Sequence, residues 1–181
     1  MRAIGHWGIS FILYSPVVLI GLLFFPDKHP HLFLGLSIII LTTPLPDIDL
    51  QLQKILSVEH RGITHTIWFP IFVGIFVVPF ILSLLFYLYN GVLEPFQPVS
   101  WADMLFFSLL GVYGTTSHFF GDVITPTGIQ PFKPIGDVKY CYILSVFGHK
   151  SKSKSMIWNI FFFVIGTIVI VLSFVLASWI G

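Results

Sequence analysis

The chain has 181 residues, of which 56% are hydrophobic and only 9% charged, and its mean hydropathy is +0.94. That composition excludes an ordinary water-facing surface and makes lipid the solvent, while a formal net charge of +1 is informative only through where the charges fall. The single cysteine, Cys141, excludes an intrachain disulfide and a cysteine-based zinc site, so any metal must be held by nitrogen and oxygen.

A bilayer core roughly 30 Å thick takes about 20 mostly apolar residues per helix. Five apolar runs predict an all-α, polytopic membrane bundle of about five transmembrane helices in one domain spanning residues 1–181. The first, residues 7–25, follows Arg2 as a signal peptide would, but no small-residue cleavage site precedes Pro26, so it is read as an uncleaved helix. Pro26 and Pro30 bracket a tight turn, and the second run, residues 32–45, is short for a crossing unless it begins near His29. The third, residues 63–89, contains Pro70 and Pro79 and is expected as one kinked span, since neighbouring helices satisfy the freed carbonyls. Asn90-Gly91, Pro95 and Pro98 mark the next turn, before runs at 101–120 and 156–180.

The two longer connections, Asp47 to Gly62 and Gly121 to Ser155, lie on the side of the N-terminus and hold most of the charged residues. Arg2, Lys54, Arg61, Lys133, Lys139, Lys150, Lys152 and Lys154 fall on that side and only Lys28 on the other, which predicts a multi-pass inner-membrane (plasma-membrane) protein with a cytoplasmic N-terminus.

This topology carries His6, Asp47, Asp49, His60, His65, His118 and Asp122 to the same membrane face, although they are scattered along most of the chain. His118 and Asp122 are one helical turn apart and can share a metal. Asp47 and Asp49 follow Pro46 and are expected in an extended segment, pointing the same way. His60 and His65 straddle Gly62, which suits a bend. Ionisable residues at membrane depth are functional by default, and imidazole with carboxylate suits zinc, manganese or iron. Seven candidates exceed a closed structural zinc site and suit one or two catalytic ions, zinc being the first choice. Arg61 either holds a substrate phosphate or a carboxylate of the site through its planar fork, or is one more inside-positive charge. The turn-rich stretch from Thr125 to Pro134 is expected to fold over the site as a lid, with Thr125 bonding a ligand carboxylate. His29 and His31 lie on the opposite side; Glu59 and His149 are read as surface groups.

The early His6, Pro46-Asp-Ile-Asp49, His60-Arg-Gly-Ile-Thr-His65 and His118-Phe-Phe-Gly-Asp122, followed by Thr125 and Gly128, together resemble the family of inner-membrane-associated, membrane-bound metal-dependent hydrolases, some of them named as LexA-binding. The resemblance runs from His6 to about Pro134. It implies a helical membrane protein with metal ligands at His6, Asp47, His65, His118 and Asp122. The ligand mix is also similar to that of zinc-dependent phospholipases C.

The sequence lacks His-Glu-x-x-His, Gly-x-Ser-x-Gly and Gly-x-Gly-Asp, which disfavours the familiar intramembrane proteases. Histidine-nucleophile lipid phosphatases need a Ser-Arg pair where Gly111 and Val112 stand. The expectation is therefore a metal-dependent hydrolase cleaving a phosphoester of a lipid or lipid-linked substrate at the cytoplasmic face, with membrane lipid as its partner and no nucleic acid. Asp49, His60 and Arg61 would assist catalysis. Two rival classes are a metal-ion transporter or sensor and an interaction protein that uses metal only to fold.

Overall fold

The computed structural model describes residues 2–25, 28–53, 55, 61–93, 100–125, 128–136, 138–141, 145–146, 149–150 and 155–180. The expectations for His60, Glu59, Lys54, Lys152 and Lys154 fall outside these residues. The described chain is nearly all helix: α1 (Ala3–Phe24), α2 (His29–Thr42), α3 (Ile48–Leu52), α4 (Trp68–Phe72), α5 (Val78–Leu93), α6 (Trp101–Val123) and α7 (Met156–Ile180). A two-residue antiparallel ladder pairs Ser145 with Lys150 and Val146 with His149.

Among the described residues, four spans are long and apolar enough to cross a membrane: Ala3–Phe24, Pro30–Leu52, Trp68–Leu88 and Met156–Leu176. Helix α6, with 23 residues, is also long enough at about 1.5 Å per residue, but carries the polar side chains that its neighbours bury. Outward faces are apolar: Ile75, Phe76 and Phe80 on one side and Ile157, Phe161, Ile168 and Val171 on α7 are exposed, while Ser10, Thr43, Thr115, Ser117 and three histidines are buried. Polar inside and apolar outside is the arrangement a lipid solvent requires.

The element boundaries have local causes. Helix α2 starts at His29, with Pro30 in the first turn where its missing N–H is harmless. Ser100 caps α6, accepting from the Asp103 amide at 3.1 Å while its hydroxyl donates to the Asp103 carboxylate at 2.7 Å. The third span begins at Trp68 rather than at residue 63, because Ile63–His65 forms a separate 3-10 turn. It widens into a π-helical turn, Val73–Val77, just before Pro79, which removes one N–H from the helical ladder.

Helix α6 packs against α1, α2, α4 and α5, whereas α7 lies along α1 in parallel, Arg2 meeting Asn159 and Gly8 meeting Gly166. Tyr14, Val18, Leu22, Ile39 and Val73 fill the centre with almost no exposure. The start of α1, the end of α2, the start of α4, the end of α6 and the start of α7 consequently share one end of the bundle.

Candidate metal centre

At that shared end, four buried or half-buried side chains from three segments face one another. His65 Nε2 lies 3.2 Å from Asp122 Oδ2 and 3.8 Å from Asp47 Oδ1, and His118 Nε2 lies 3.6 Å from each of the same two oxygens. A tetrahedral ion with bonds of about 2.1 Å holds its ligand atoms roughly 3.4 Å apart, close to each of these four imidazole–carboxylate separations. Among the described residues, two overlapping triads meet the spacing of metal ligands: Asp47, His65 and His118, and His6, His118 and Asp122.

The backbone aims these groups. His118 and Asp122 are one turn apart near the end of α6, as their spacing predicts. Asp47 and Asp49 are not in an extended segment. Pro46 sits in the opening of the 3-10 turn Leu45–Asp47, where a missing N–H is tolerated, and α3 follows directly. On this helical path the two carboxylates diverge. Asp47 faces Nε2 of His65, whereas Asp49 Oδ2 lies 3.6 Å from Nδ1 of the same ring.

The far side of each imidazole is engaged. His118 Nδ1 lies 2.9 Å from the Thr43 carbonyl, which can only accept, so Nδ1 carries the proton and Nε2 the lone pair. Thr64 donates its hydroxyl to Asp49 at 3.0 Å, and so must accept from His65 Nδ1 at 3.1 Å; His65 is again left with its lone pair on Nε2. Burial, the largest influence, holds the His65 imidazole below the ordinary histidine range, keeping it neutral as a ligand must be. His6 is fully buried, stacked on His118, with Nε2 3.7 Å from Asp122 Oδ1.

Arg61 ties the centre together. Its N–H donates to Asp49 at 2.8 Å, Nη1 to the Gly128 carbonyl at 2.8 Å and Nη2 to Asp122 Oδ1 at 2.6 Å. Of its three expected readings, the guanidinium here takes the one that holds a carboxylate of the site. Its φ of 61° is unusual for a side-chain-bearing residue, a local cost of about 1–3 kcal/mol that three bonds hold in place. Gly128, at φ 58°, brings its carbonyl within reach; a side chain there would collide with Tyr140.

The segment after Asp122 folds back over this end, the Ile67 amide donating to the Pro131 carbonyl at 2.8 Å and Ile129 pairing with Tyr140. The Thr125 hydroxyl donates to the Asp122 backbone carbonyl at 2.7 Å. His31 is remote, bonded to Asp103 at 3.0 Å at the other end of the bundle. Thr43, Thr64 and the hydroxyl cluster of Ser10, Thr43 and Ser117 beneath the imidazoles were not anticipated from sequence. Their signal is polarity within otherwise apolar spans, one turn from His6 and beside His118 and His65.

Residues 1–180 match the family described as YdjM inner membrane protein. The chain belongs to the YdjM inner membrane protein family. No curated protein and no solved structure matches it. Membership and the apolar spans together make the chain an integral inner-membrane protein, and within a YdjM-family bundle the histidines and aspartates described above are possible metal-binding groups.

Proposed function

We propose that the chain is a membrane-embedded, metal-dependent hydrolase that cleaves a phosphoester of a lipid or lipid-linked substrate at the cytoplasmic face. One observation carries the reading: Nε2 of His65 and Nε2 of His118 each stand 3.2–3.8 Å from a carboxylate oxygen of Asp47 and of Asp122, with the opposite nitrogen of each imidazole already engaged. Zinc is the first candidate, with manganese and iron accepted by the same donors. A divalent ion held there would acidify water and polarise a phosphoryl oxygen.

The chain's own residues would do the rest. Asp49 and Thr64 hold the His65 tautomer, and the Thr43 carbonyl holds that of His118. Arg61, pinned to Asp122 Oδ1, turns Oδ2 toward the two imidazoles. Asp47 is 21% exposed, whereas His6, His65, His118 and Asp122 are at most 1% exposed, so a substrate would arrive past Asp47. The ends of the spans lie at headgroup depth, which favours a lipid phosphate over a soluble one.

The test is to measure metal content and headgroup release from mixed-lipid vesicles, together with cleavage of generic phosphomono- and diesters. Metal-loaded protein should release phosphate or headgroup, and Asp47→Ala or His118→Ala should abolish the release. A metal-loaded, folded preparation inert toward all these esters would sink the hydrolase reading.

A further inference from the structure

We infer that the centre takes a single divalent ion, on His65, His118, Asp47 and Asp122, and that His6 stands beside this ion rather than on it. The inference rests on the metal-binding reading but fixes what that reading leaves open, namely the number of ions and the set of ligands.

Three features lead to it. Both candidate triads contain His118, yet its Nδ1 proton goes to the Thr43 carbonyl, so the ring has one lone pair to give. One lone pair serves one ion, and the triads cannot both be filled.

Ring orientation then selects between them. An imidazole lone pair lies in the ring plane, and a ligated ion sits near that plane. The His6 and His118 rings are parallel within 9°, with centroids 3.6 Å apart. An ion in the plane of His118 therefore lies about one stacking distance above the His6 plane, facing its π cloud. His65 stands at 70° to His118 with centroids 5.3 Å apart, so the two planes intersect and one ion can lie in both.

The third feature concerns a second ion. It would have to sit by His6 and share Asp122 Oδ1 with the Arg61 guanidinium, a cation already in contact at 2.6 Å. Two cations sharing one buried carboxylate oxygen repel each other, which weighs against it. His6 has little room to swing toward the first ion, because its ring lies against the bare backbone of Gly121, where any side chain would strike it. Both His6 nitrogens are buried and lack a hydrogen-bond partner among the described residues.

Zinc loading of the purified full chain in detergent, followed by elemental analysis and zinc X-ray absorption, tests this. The expected result is one zinc per chain with two imidazoles in its coordination shell. His6→Gln should keep one zinc with affinity within a few-fold of wild type, while His65→Gln should weaken binding by roughly two orders of magnitude or more. Two zinc ions per chain, or three imidazoles on one, would overturn the inference and leave metal binding intact. No zinc in a folded wild-type preparation would instead overturn the metal-binding reading itself. The imidazole count on the wild type needs no variant, so misfolding of His6→Gln cannot obscure the outcome.

Discussion

Two histidines of the centre have their tautomers set by different means, and the difference can be measured. His118 bonds a backbone carbonyl, which no substitution removes, whereas His65 depends on the Thr64 hydroxyl and, through it, on Asp49. Thr64→Val removes the hydroxyl that accepts the His65 Nδ1 proton, weakening its hold on that tautomer and favouring the proton on Nε2, where it blocks the ion. Loss of such an outer partner costs about 10–100-fold in metal affinity. Thr64→Val should show that loss in a zinc titration while Thr64→Ser retains wild-type affinity; equal affinity for both would show that the hydroxyl does not orient the ring. At this scale the sequence carried residue types but not atoms. The spacing of His118 and Asp122 is a helical turn and could be read directly, but the divergence of Asp47 and Asp49 could not. It arises because Pro46 sits in a 3-10 turn that runs directly into α3, so the segment is helical and not extended.

The spans follow from apolar length, whereas their ends follow from contacts that a hydropathy profile does not contain. The third apolar run continues through Ile63, yet Arg61 and Thr64 anchor that stretch to Asp49 and hold it out of the helix until Trp68. Packing between spans uses small residues, since lipid gives apolar side chains no reason to prefer a protein neighbour. Helices α1 and α7 meet where Gly8 and Gly166 bring their backbones into contact, and a side chain on either would run into the other helix. Gly166→Val should therefore lower the melting temperature in detergent, at a cost of about 1–3 kcal/mol from overpacking. Zinc binding should persist, because the ligands sit on the opposite side of α1 from α7. An unchanged melting temperature would mean that the two helices do not pack as described.

Across the whole molecule, the convergence of distant histidines and aspartates follows from alternation: each crossing returns the chain to one of two faces, and five crossings bring His6, Asp47, His65, His118 and Asp122 to the same one. That much was legible from apolar runs alone. Which face it is depends on charge, and among the described residues Arg2, Arg61, Lys133 and Lys139 stand at the site end, with Lys28 at the other. The positive-inside rule then predicts that the site faces the cytoplasm. Cysteine labelling decides it. In a Cys141→Ser background, a cysteine at exposed Lys139 probes the site end and one at exposed Trp101 probes the far end. A membrane-impermeant thiol reagent should reach Trp101→Cys from outside spheroplasts and Lys139→Cys only in inverted vesicles. The reverse pattern would put the centre on the outer face, where a cytoplasmic-leaflet substrate could not reach it. Labelling of both positions from one side would break the alternation on which the meeting of the ligands depends.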